Sequence, residues 1–222
     1  MKLIQDIRDE LKQFLSGKTL DALIPPIIYL VLNRFIPLKR TIFIALSVAV
    51  LIGIYRLIKK ENIFYALGGI GGVAFASAFA LISDNAANYF LPKILASAGL
   101  FLMILLSIFL GKPAAAILSH LTRGWSWDWF MRKDIKPAYR EVTITWAVLV
   151  FIRTLLQVTL YQRGNLTELG WASIILGFPA TLTVLILTLV YGVWRLRKLG
   201  GPGIDEFEQG TEAPWEGQKK GF

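Results

Sequence analysis

The sequence predicts an all-α, polytopic integral membrane bundle of six transmembrane helices, preceded by an N-terminal amphipathic helix. Three observations carry this reading. The 222 residues are 55% hydrophobic and only 18% charged, with mean hydropathy +0.56, whereas soluble domains lie nearer roughly 45–50% apolar and about 25% charged. The excess gathers in nearly uncharged blocks of about 20 residues, long enough as helix to cross about 30 Å of hydrocarbon. Lys and Arg are spread unevenly over alternate connections, as the positive-inside rule requires. A soluble globular enzyme, a disordered chain and a disulfide scaffold are all excluded.

Residues 1–19 form the amphipathic element. Ile4, Ile7, Leu11, Phe14 and Leu15 fall on one helical face. Lys2, Arg8 and Lys12 balance Asp6, Asp9 and Glu10 on the other. Such a helix lies on the membrane or against a partner, and Ser16-Gly17 ends it. The charges also deny this stretch the uninterrupted apolar core of a cleavable signal.

Residues 20–199 hold six apolar blocks. Leu20–Ile36 is interrupted by Pro25-Pro26. Thr41–Ile58 ends on Arg56, Lys59 and Lys60. Ile63–Ile82 is rich in Gly and Ala. Phe90–Leu110 and Val142–Tyr161 follow, the latter carrying Arg153. Leu169–Trp194 contains Gly177 and Pro179, which mark a kink. The long connection between blocks four and five holds Trp125, Trp127 and Trp129 beside basic residues, the composition of an interfacial belt. Residues 200–222 are polar and are expected to dangle as a cytoplasmic tail.

With the N-terminus inside, the inner segments hold eighteen Lys and Arg and the outer loops five, Arg153 lying within a block. Six spans with both termini cytoplasmic follow. Arg34, Lys39 and Arg40 dissent by facing outward. If the first block dips in and returns, five spans result, with the N-terminus outside and a weaker asymmetry. The net charge of +9 is thus mostly a topology signal, and no basic stretch has the form of a nucleic-acid reader.

Few residues carry chemistry. The chain has no Cys and one His, His120, so neither thiol catalysis nor a Cys- or multi-His-ligated metal is available. Ser119 and His120 are sequence neighbours and do not face one another on a helix. No catalytic residue, metal or cofactor is expected. Arg153 is the sharpest feature. It falls near the bilayer midplane, where a charge is costly and faces a bundle interior or a wet cavity. Gln157 and Tyr161 follow at helical spacing, and Asp84 is the nearest acid, just past block three. These four are the candidate binding residues for a small anion or lipid headgroup. Gly68, Gly72, Ala76 and Ala80 recur every fourth residue, a small-residue stripe that lets another helix approach.

Two stretches, Asn88–Leu95 (NYFLPKIL) and Tyr139–Gln157 (YREVTITWAVLVFIRTLLQ), make the chain resemble a bacterial multi-pass membrane family classed as a domain of unknown function. The resemblance runs from about Ala22 to Lys198. It is more distantly similar to the intracellular septation protein A group. It implies an all-helical inner-membrane fold and brings no activity. The septation likeness implies a partner-binding role in the cell envelope.

The expected function is a non-enzymatic scaffold or accessory subunit of the bacterial inner membrane. It would sit in the lipid bilayer and bind other membrane protein subunits or copies of itself. The alternative is a small-anion or lipid transporter or channel with Arg153 lining the site.

Overall fold

The computed structural model describes Asp21–Phe222; the amphipathic helix expected over residues 1–19 lies outside the described residues. Among the described residues the chain is helical without strands. After a short 3-10 turn, Asp21–Leu23, the helices are α1 (Ile24–Leu32), α2 (Leu38–Ile58), α3 (Ile63–Ile82), α4 (Leu91–Phe109, preceded by a 3-10 turn Ala86–Phe90), α5 (Ala114–Arg123), α6 (Trp127–Met131), α7 (Lys136–Gln162), α8 (Leu166–Ile175), α9 (Phe178–Leu199) and α10 (Ile204–Glu208).

Among the described residues, five segments are long and apolar enough to cross a membrane: Leu38–Ile58, Ile63–Ile82, Ala86–Phe109, Lys136–Gln162 and Leu166–Leu199. Only 22–33% of each apolar window is buried within the chain. Phe64 is 80% exposed and Ile82 87%, which is the surface of a membrane-embedded protein and not of a soluble one. The first block departs from the six-span expectation. Its helix, α1, has nine residues, about 13 Å of rise. Pro25 and Pro26 are confined to its first turn, where a missing N–H is tolerated, and the turn at Asn33–Ile36 ends it before Pro37.

The chain divides into two compact units. The first comprises the described residues through Ala96 together with Thr154–Pro179. Its core contains Tyr29, Ile42, Ala45, Ala80, Tyr89, Phe90, Leu160 and Leu169. Tyr29 stacks on Tyr89 with centroids 3.9 Å apart and donates to Ala86 O at 2.8 Å, so its buried hydroxyl is paired. Gly170 packs so closely on Leu30 that a Cβ would overlap its methyls. The last apolar block is broken as expected. α8 stops at Ile175, and Gly177 admits the turn because a Cβ there would lie 2.6 Å from Ser173 O.

The second unit comprises Ser97–Arg153 and Ala180–Phe222. Ala114 N and Ala115 N, orphan donors at the start of α5, are received by Ser107 Oγ and Thr143 Oγ1, each at 3.1 Å. Gly124, with φ +70°, closes α5. Glu141 is gripped by Arg195 through two 2.8 Å bonds and receives Tyr191 OH at 2.7 Å.

Two expectations are corrected in this unit. The tryptophan loop is not simply a belt at the interface: Trp129 and Phe130 are fully buried, and Trp129 Nε1 donates to Pro202 O at 2.9 Å. The tail does not dangle. Ile204 N donates to Gln218 Oε1, and Glu206 collects the N–H groups of Gly203, Glu216 and Gly217. Arg132 lies over the Trp215 ring, and Phe222 is buried. Aromatic side chains spaced through the tail supply apolar area that its polar average conceals.

Candidate functional site

α7 carries Arg153 in its C-terminal half. In the second unit the guanidinium is held by hydroxyls. Nε and Nη2 donate to Ser97 Oγ at 3.2 and 3.0 Å, and Nη1 donates to Thr181 Oγ1 at 3.3 Å. A guanidinium has five N–H donors. One on each terminal nitrogen is left without a partner among the described residues, and no carboxylate pairs with the charge there. Thr181 lies in the first turn of α9, the positive end of that helix dipole. Two sources of positive potential therefore meet where the sequence places the middle of the membrane.

From Arg153 a half-open groove of about 260 Å³ runs along the second unit. Leu149, Val150, Val184 and Leu185 wall it, and Trp146, seven residues before Arg153 on α7, lines it too. Its polar neighbours are occupied: Trp146 Nε1 donates to Thr188 Oγ1 at 3.0 Å, and Thr188 donates to Val184 O at 2.7 Å. The groove is thus lined mainly by apolar groups, with Arg153 as its one cation.

The other expected site residues have partners in the first unit. Gln157 is fully buried and donates from Nε2 to Ser173 Oγ at 3.0 Å, its Oε1 lacking a partner among the described residues. Tyr161 OH donates to Asn88 Oδ1. Asp84 is exposed just beyond α3 with φ +49°. Lys93 was not singled out by sequence. Its Nζ donates to Ser173 O at 2.5 Å, near the end of α8, where a cation complements the terminal carbonyls. Gly68 and Gly72 face open space, and a Cβ on either would meet nothing within 4 Å. Ala76 and Ala80 instead pack into the core of the first unit.

Ser97 was missed because a lone serine among small residues reads as packing. Its partnership with Arg153 spans 56 positions, and no local pattern encodes that distance. His120 Nδ1 lies 2.6 Å from Trp125 O, so the one histidine braces the tryptophan loop.

A family model described as "Protein of unknown function (DUF3159)" matches residues 16–198. The chain belongs to this family. The DUF3159 match covers Ser97, Arg153, Thr181 and the groove walls, and it ends before the packed tail. No curated protein and no solved structure matches the chain.

Proposed function

We propose that this DUF3159 protein is a non-enzymatic bacterial inner-membrane protein that binds an anionic ligand at Arg153 within the bilayer. The observation that supports this most is the guanidinium itself. It has neutral hydroxyls and a helix N-terminus for company, two N–H groups directed to no described acceptor, and an apolar groove beside it. A mid-membrane charge is expensive and is retained where it meets a partner or a pathway. An anion supplies that partner. The test is mass spectrometry of the chain purified in mild detergent. Wild type is expected to retain an anionic species that Arg153→Gln loses. Equal loads on both proteins refute the reading.

In the topology that goes with this reading, Arg56–Lys60, the Lys112–Arg140 region and the tail face the cytoplasm, where basic residues concentrate. Five crossings then put Arg34, Lys39 and Arg40 on the opposite face.

A second reading, as a scaffold or accessory subunit akin to the septation protein A group, is favoured by α3. Gly68 and Gly72 present bare backbone to open space, the surface that a neighbouring transmembrane helix uses. Under this reading Gly72→Leu loses a protein partner or the self-assembled state in a mild-detergent pull-down, while expression holds. Retained partners remove its support.

A further inference from the structure

Resting on that proposed anion site, we infer that the groove holds a single-chain carboxylate taken from the surrounding bilayer. The carboxylate is bound by Arg153 and the chain runs toward Trp146. Three properties select this class. The free N–H groups, one on Nη1 and one on Nη2, match the two oxygens of a carboxylate, the bidentate pairing that arginine favours. The path beyond is apolar, through Leu149, Val150, Val184 and Leu185, and offers no further donor, since the Trp146 N–H and the Thr188 hydroxyl are spent on acceptors inside the protein. A diacyl phospholipid would bring ester carbonyls and a second chain for which these walls provide nothing. An inorganic ion would leave the apolar space empty.

The size agrees. Arg153 and Trp146 are seven residues apart on one helix, about 10 Å of rise. The groove volume of about 260 Å³ corresponds to about nine water-sized groups at roughly 30 Å³ each. A chain of about eight to ten carbons fits. Leu100 and Leu118 line the groove and are exposed, so entry from the lipid side requires no opening of the core.

The geometry also provides a reporter, because Trp146 lies where the chain should end. The full-length protein in phosphatidylcholine nanodiscs is titrated with 10-bromodecanoic acid, whose terminal bromine quenches indole fluorescence. Wild type is expected to show a saturable quenching component that Trp146→Phe lacks. Arg153→Gln should weaken it at least ten-fold, and 10-bromodecan-1-ol should not produce it. Val184→Phe, which fills the groove and leaves Arg153 in place, should abolish it with the helical circular-dichroism signal unchanged. Equal saturable quenching by acid and alcohol, or quenching indifferent to Val184→Phe, overturns the inference. So does absence of the component in wild type. If an anion still co-purifies in an Arg153-dependent way, the ligand class falls and the anion site stands. If neither occurs, both fall.

Discussion

The Phe222 ring stacks on the Tyr139 ring, with centroids 4.1 Å apart and planes 13° apart. The contact is possible because residue 192 is glycine, where a Cβ would overlap Phe222. A buried aromatic replaced by alanine costs about 3–5 kcal/mol. Phe222→Ala should therefore lower the thermal unfolding temperature in detergent by several degrees. Gly192→Leu should expel the ring and open Lys219 and Lys220 to trypsin. A tail that is cut equally fast in wild type would contradict the packed arrangement. The Lys220 ammonium bonds Asp205 at 2.5 Å, which raises its pKa above the usual 10.5. A raised lysine pKa stabilises below the ordinary value and loses that contribution as pH climbs through the raised one. This anchor should hold at every neutral pH.

Two glycines of the first unit should respond oppositely. Gly170→Leu drives a side chain into Leu30, and overpacking costs about 1–3 kcal/mol. Gly72→Leu meets open space and should not destabilise, because an interior helical glycine costs about 1 kcal/mol relative to a good helix former. Denaturant titration of both variants checks the contrast, and equal destabilisation would place Gly72 inside the packed core.

Lys93→Met should loosen the end of α8. The ammonium bonded to Ser173 O neutralises the negative end of that helix, an effect worth about 1 kcal/mol. Hydrogen exchange is expected to rise around Leu176 and Gly177 and to stay unchanged in α2. Unaltered exchange at the break would deny Lys93 its capping role.

The absence of cysteine makes topology directly measurable. A cysteine placed at Glu212 should react with an impermeant maleimide only after the membrane is opened, and one at Arg163 should react on intact spheroplasts. The reverse pattern would invert the proposed orientation.

The spans were the most legible part of the sequence. Helix α3 occupies Ile63–Ile82, the bounds that loss of apolar character sets at each end. Lipid demands unbroken apolar length, and length is a local property. The first block shows the limit, since total hydropathy does not register that Pro25-Pro26 starts a helix and the turn at Asn33 ends it. The tail was illegible for the opposite reason: average polarity hides the few rings, Phe207, Trp215 and Phe222, that fix it. At the site, Arg153 was visible as a charge out of place. That Ser97 and Thr181 are its partners was not, because hydroxyl groups are unremarkable in any helix and the pairing depends on tertiary contact.

The way Arg153 is held also orders the birth of the protein. On the insertion scale an arginine at the centre of a helix opposes entry by about 2.5–3.5 kcal/mol. Ser97 has already been synthesised when Arg153 emerges, but Thr181 follows 28 residues later. α7 thus acquires its full set of hydroxyl partners only as the final span is being made.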